Sequence, residues 1–312
     1  MTSSMVKTAS IEKKATETPR VYDLFLGCTI QNRVPFIEKS ARIVFNKLNI
    51  QFKDNPHFSC CPDPVGIQST NHHSWLLLGA RNLALAEQDH LPVISFCNGC
   101  VETLKAVNHE LAHHSNTKEE IQTTLGKIGK KYQGTTIVKH FIEVLHNDIG
   151  SDAIRAAVVR PLTGIKIAVH VGCHYCRPSE LVQIDSPLDP QYPTKILQTI
   201  GATVVNYEEA LMCCGSAVAR NNDAAANGLM KRKFQSIMDA SPDVIAVNCP
   251  SCFQQLESGQ RIMKKEFDID VKLPVFYITE LLALAFGASS KEIGLQFHQI
   301  KPTGVLQKLG IE

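Results

Sequence analysis

The sequence predicts an α/β protein built from two pseudo-symmetric units with mainly parallel sheets. Three observations predict it. One cysteine pattern occurs twice, four short apolar runs each end at a cysteine, and helical periodicity lies between those runs. The first five cysteines, Cys28, Cys60, Cys61, Cys97 and Cys100, read C-x31-CC-x35-C-x2-C. The second set is Cys173, Cys213, Cys214, Cys249 and Cys252. With Cys176 set aside, it reads C-x39-CC-x34-C-x2-C. Matching members lie 145, 152 or 153 residues apart. Core packing has no reason to give the same order twice, so the chain reads as two copies of one unit.

The elements follow in order. Residues 1–20 are polar and contain lysine. They lack the apolar core of a secretory signal and read as a disordered tail. Residues 21–27 (VYDLFLG) are a buried strand stopped by glycine just before Cys28. Ile37, Ala41, Val44, Phe45 and Leu48 keep the spacing of one helix face. Residues 72–90 are apolar almost all round their centre and predict a largely buried helix. Residues 92–96 (PVISF) are a strand that delivers Cys97. These elements form a first domain over 21–159. A linker at 160–164 carries Pro161 and Gly164, and a second domain runs over 165–312. That domain repeats the plan. Residues 166–172 (KIAVHVG) lead to Cys173, and 244–248 (VIAVN) lead to Cys249. Ala226, Met230, Phe234, Ile237 and Met238 mark a helix between them. In parallel α/β sheets ligands sit beyond the C-terminal strand ends, where this reading places Cys28, Cys97, Cys173 and Cys249.

Composition narrows the function. The 312 residues are 44% hydrophobic and 20% charged, which suits a soluble globular protein. With 32 basic against 30 acidic residues, the net charge of +2 gives no case for nucleic acid or an anionic surface. The longest apolar runs, 75–80 and 281–288, fall far short of the roughly 20 residues of a spanning helix. Eleven cysteines without a signal peptide point to a cytoplasmic chain with reduced thiols, hence to metal or redox chemistry. Five thiolates per unit are one more than a tetrahedral zinc site or a conventional [4Fe–4S] cluster takes. Adjacent cysteines crowd two thiolates together and favour a polynuclear centre. Spacing alone leaves cluster and zinc both open, with the cluster favoured.

The two cysteine sets resemble the B subunit of heterodisulfide reductase, a family of twin cysteine-rich "CCG" domains. The motifs that carry the likeness are Leu26-Gly27-Cys28, Cys97-Asn98-Gly99-Cys100, Gly172-Cys173-His174, Arg177-Pro178-Ser179 and Cys213-Cys214-Gly215. The likeness runs from about Tyr22 to His298. It implies that each five-cysteine set binds one noncubane [4Fe–4S] cluster. The two clusters would face a shared cavity and split a disulfide, one sulfur at each. It further implies electrons from a C-like partner that carries cubane clusters, together with an A-like flavoprotein partner. Gly215-Ser216-Ala217-Val218 stands where members acting on coenzyme M and coenzyme B have a glycine run, and Gln31 and Pro62 also depart from the pattern. The loss of the glycine run favours a related complex of sulfur oxidisers, with the coenzyme-specific reductase as the alternative. An electron relay or a zinc-containing structural protein is the further rival.

Weaker signals remain. His174 adjoins a ligand cysteine and is the candidate proton donor; a structural hydrogen bond is its plainer role. Cys176 is the odd cysteine. It reads as a substrate-facing thiol, as a dithiol partner of Cys173, or as a small buried hydrophobe. Arg177 suits either an anionic substrate group or a salt bridge. His72 and His73 read as a helix cap region. His109, His113 and His114 read as a solvated helix face. Residues 126–134 lack phosphate-loop spacing.

Overall fold

The computed structural model describes residues 20–311. The tail expected at 1–20 lies outside the described residues except for Arg20, which opens the first strand. The first sheet holds β1 (Arg20–Phe25), β2 (Ile50–Asp54), β3 (Val93–Ser95) and β4 (Val138–His140). The second holds β5 (Lys166–His170), β6 (Thr203–Val205), β7 (Val244–Val247) and β8 (Val275–Tyr277). Their orders are β2-β1-β3-β4 and β6-β5-β7-β8, and every pairing is parallel. The expected α/β class and duplication are therefore found. Each sheet has a topological switch point between its two central strands, at β1/β3 and at β5/β7. The crevice beyond such a point is where α/β sheets hold ligands.

Helix Pro35–Lys47 buries Ile37, Ala41, Val44 and Phe45 as the spacing predicts. Helices His72–Asp89 and Asp223–Asp239 correspond at an offset of 151. Asn71 and Asn222 cap them, each accepting a backbone N–H three residues on. Their buried positions match, from Trp75 and Ala226 to Ala86 and Ile237. The two copies solve one helix crossing in opposite ways. In the first, Gly79 receives Val107, and a Cβ on Gly79 would sit 2.7 Å from the valine Cγ2. In the second, Gly259 receives Met230, and a Cβ on Gly259 would overlap the methionine Sδ. The small and large partners have exchanged helices, and the volume at the crossing is kept.

The halves share one hydrophobic core. Helix Ile278–Ala285 packs on helix Pro35–Lys47, with Ser40 Oγ 2.7 Å from Thr279 Oγ1. Phe36 meets Phe253 edge-on and packs tilted against the buried His298. His140 and Tyr277 end the last strand of each sheet. A glutamate three residues on, Glu143 or Glu280, accepts the backbone N–H of each. The Tyr277 hydroxyl donates across the seam to the Phe96 carbonyl. Asn98 Nδ2 donates across it to the Val171 carbonyl at 2.7 Å. No described helix is long and apolar enough to cross a membrane.

Candidate metal centre

The C-terminal ends of β1, β3, β5 and β7 face one cavity of about 760 Å³, counting its space open to solvent. All ten cysteines of the two expected sets line it. Cys97 and Cys249 precede helices Asn98–His113 and Pro250–Phe267 as N-cap residues. Cys100 and Cys252 lie in the first turns of those helices, so each C-x2-C pair surrounds a helix N-terminus that favours bound negative charge. The adjacent pairs arrive on the loop before Gly66–Thr70 and the loop before Val218–Arg220.

The thiols are in mutual contact. Cys60 and Cys28 Sγ are 3.8 Å apart, and Cys214 and Cys252 Sγ are 3.4 Å apart. The Gly215 N–H donates to Cys213 Sγ at 3.3 Å. Hydrogen bonds from Cys100 and Cys60 pull Cys61 down to about 6. Hydrogen bonds from Cys252, and from Cys97 across the seam, hold Cys249 well below the ordinary thiol value. The donors are raised in return: Cys61 raises Cys100 first, and Cys214 raises Cys252 first. Of the ten, Cys61, Cys213 and Cys249 are held low and the other seven are raised, because crowded thiols share protons with their neighbours. All eleven cysteines are free.

Two glycines let the backbone close on the thiols. Gly27 and Gly172 precede Cys28 and Cys173 and have φ of 66° and 77°. A Cβ on Gly27 would lie 2.6 Å from Cys100 Sγ, and one on Gly172 would lie 3.2 Å from Cys252 Sγ. Ten converging soft donors in two groups of five, each with a glycine cradle, fit a sulfur-ligated metal cluster in each half.

The remaining expected residues separate. His174 lines the cavity, and its Nδ1 is 3.8 Å from Glu102 of the other half. Burial pushes Glu102 up to about 7. Cys176 does not line the cavity. It is buried, and burial followed by the Asp185 charge pushes it up to about 12. Arg177 donates to the Leu211 carbonyl at 2.8 Å. His72 ion-pairs with Glu110 at 2.7 Å, while Asn71 is the cap. His109, His113 and His114 are exposed, as a solvated face requires.

Several groups escaped the sequence reading. Arg220 and Asp63 form an ion pair between the halves, and both line the cavity. Asn82 and Lys233 occupy equivalent buried helix positions behind the two cysteine pairs. Asn82 accepts from the Ser59 N–H and donates to the Cys60 carbonyl, both at 3.0 Å. Lys233 donates to the Glu209 carbonyl at 2.5 Å, and burial pushes it down to about 8. His170, the last residue of β5, lies against Cys214 and Cys252. Its signal was legible: it stands 145 residues after Phe25, the offset that relates Cys28 to Cys173.

Fold and site define a two-domain cysteine-rich protein, and comparison with known proteins agrees. The cysteine-rich domain (CCG) family model matches residues 22–105 and 167–257. The B subunit of the ferredoxin/F(420)H(2)-dependent CoB-CoM heterodisulfide reductase of Methanosarcina acetivorans is 33% identical, over 92% of this chain and 96% of its own. A protein of Archaeoglobus profundus described as like the heterodisulfide reductase B subunit is 31% identical, over 87% of this chain and 92% of its own. The 8-methylmenaquinol:fumarate reductase membrane anchor subunit of Wolinella succinogenes is 29% identical, over 90% and 98%. A solved hypothetical protein from Helicobacter pylori shares the fold at a TM-score of 0.71 and 16% identity, covering 91% of this chain and 53% of the other. The chain belongs to the family of heterodisulfide reductase B subunits, with two CCG domains.

Proposed function

We propose that this chain is the iron–sulfur catalytic subunit of an oxidoreductase that cleaves or forms disulfide or sulfane-sulfur bonds. The observation that carries the reading is the convergence of two complete five-cysteine sets on one cavity. A pure electron relay has no need for two similar sites opening on one space. Cys28, Cys60, Cys61, Cys97 and Cys100 would hold one noncubane [4Fe–4S] cluster. Cys173, Cys213, Cys214, Cys249 and Cys252 would hold the other. When bound, these clusters supply one-electron steps and iron that has affinity for sulfur.

The chain's own residues do the rest. Cleavage of R–S–S–R′ consumes two electrons and two protons and releases two thiols. His174 faces the cavity from the second half and is the residue we assign to proton delivery, with the Glu102 carboxyl behind it. The cavity's apolar walls, among them Leu26, Pro64, Val65 and Pro250, limit water around the substrate. We give Cys176 the role of a small buried hydrophobe. The domains run over 21–159 and 165–312 about a linker at 160–164.

The chain has no flavin fingerprint, so electrons must enter or leave through partners. A protein with cubane clusters and a flavoprotein are the ones the family supplies. The site needs a compartment that keeps thiols reduced, which is the cytoplasm. Ser216 and Ala217 put side chains into the cavity wall where a glycine run would leave bare backbone. That favours a sulfur-oxidising type of complex. The named substrate of the Methanosarcina relatives, the CoB–CoM heterodisulfide, is the second reading, favoured by 33% identity over nearly the whole chain.

Metal and labile-sulfide analysis of protein purified without oxygen tests the proposal. About eight irons per chain are expected from two four-iron clusters. Fewer than about four irons, or zinc in both sites, refutes it. A new paramagnetic signal on adding thiol during oxidation is expected of a catalytic centre, and its absence would favour the relay.

A further inference from the structure

His170 is 1% exposed, and neither ring nitrogen has a hydrogen-bond partner. The Ala210 carbonyl approaches the ring but does not meet hydrogen-bond geometry. A buried imidazole left without partners loses its hydration with no bond in return. One of its nitrogens lies within 4.8 Å of both the Cys214 and Cys252 sulfurs. The equivalent residue of the first half, Phe25, offers carbon only. The neighbouring position differs in the same sense. Behind the second cysteine pair stands Lys233, a buried amine, and behind the first stands the neutral amide of Asn82.

We propose that His170 donates its N–H to a sulfur of the second-half centre and thereby makes that centre the easier of the two to reduce. This rests on the cluster reading above. Five cysteines already surround each centre, so the imidazole is not required as a ligand. What it faces is sulfur, which accepts hydrogen bonds. A donor to cluster sulfur stabilises the reduced, more negative state and raises the potential. Two chemically similar centres then differ by design. The second would fill with an electron first and the first would remain the stronger reductant. His170 acts through the centre and is a positioning residue.

The test is a potentiometric titration of the full chain, followed by electron paramagnetic resonance, with histidine labelled with 15N. In wild type, hyperfine spectroscopy is expected to show a weak nitrogen coupling at one centre. His170→Phe, which installs the residue found at the equivalent site, should keep the iron content. It should abolish that coupling and shift one potential negative while leaving the other in place. His170→Gln keeps an N–H and should recover part of the shift. Unchanged potentials in a fully loaded His170→Phe protein overturn the inference. So does a nitrogen coupling as strong as that of a direct iron ligand. Failure of the cluster reading is separate: it would appear as missing iron or as zinc in the wild type itself.

Discussion

Gly172→Ala tests how the seam holds the second site. Gly172 has φ 77° and ψ 153°, a region essentially restricted to glycine, where an L-residue costs about 1–3 kcal/mol. The added Cβ would lie 2.7 Å from Asn98 Nδ2 and 3.2 Å from Cys252 Sγ. Asn98 is buried, and that nitrogen donates to the Val171 carbonyl at 2.7 Å. Displacing it leaves a buried donor and acceptor unpaired, which adds about 1–3 kcal/mol. The expected loss is about 2–6 kcal/mol, or about 0.7–2 M in the urea midpoint for a slope of about 3 kcal/mol per M. Iron content should fall, because Asn98 lies between Cys97 and Cys100 and Val171 lies two residues before Cys173. Gly164→Ala is the control: φ is 82° there, but a Cβ would meet nothing within 4 Å. It should cost backbone strain alone, about 1–2 kcal/mol, with full iron content. Equal midpoint shifts in the two variants would refute the close-approach argument.

Asp23 is fully buried, and neither carboxylate oxygen has a donor. Burial first, then Asp89, pushes it up to about 7. Its folded value is raised, so the stability it contributes is complete below about pH 4 and is lost as pH climbs through 7. Wild type should lose on the order of 2–4 kcal/mol relative to Asp23→Asn between pH 5 and 8. Parallel urea midpoints across that range would sink the idea. At the exchanged helix crossing, Met230→Gly with Gly259→Val reproduces the Gly79–Val107 arrangement. The double variant should be at least about 1 kcal/mol more stable than the summed single changes predict, and additive losses would deny the coupling. Cys176→Ala should keep iron content and turnover near wild type and lose about 1–2 kcal/mol of stability. Loss of one centre's iron would instead make Cys176 a ligand.

The fold was legible where local pattern decides it. Short apolar runs that lead to a cysteine gave β1, β3, β5 and β7, because buried parallel strands are continuously apolar. The four edge strands, β2, β4, β6 and β8, were missed. β4, β6 and β8 are three residues long and β2 is largely exposed, so they leave little periodic signal. The ten cysteines were legible because order and spacing survive in the sequence. Cys176 shows the limit, since spacing could not tell a cavity-facing thiol from a buried one. Glu102, Asp63, Arg220 and Asn98 were invisible for another reason. Each acts across the seam, and neither propensity nor periodicity reports which loop of one half meets which loop of the other.

That seam explains why a duplicated chain was needed at all. In the first half, β3 runs into Phe96 and Cys97, and the Phe96 carbonyl is held by Tyr277 of the second half. In the second half, β5 runs into Val171, Gly172 and Cys173, and the Val171 carbonyl is held by Asn98 of the first. Each half thus pins the backbone just before a cysteine of the other. The Cys97 and Cys249 thiols shift one another across the same line. A half alone would keep its five cysteines in sequence but lose the partner that fixes their approach, and its carbonyl would turn to water. The two cysteine sets are therefore coupled through folding. On the proposed reading, a substrate between the two cysteine sets would meet sites whose separation is set by the packing of the seam, while His170 and Lys233 on one side and Phe25 and Asn82 on the other make the two sets unequal.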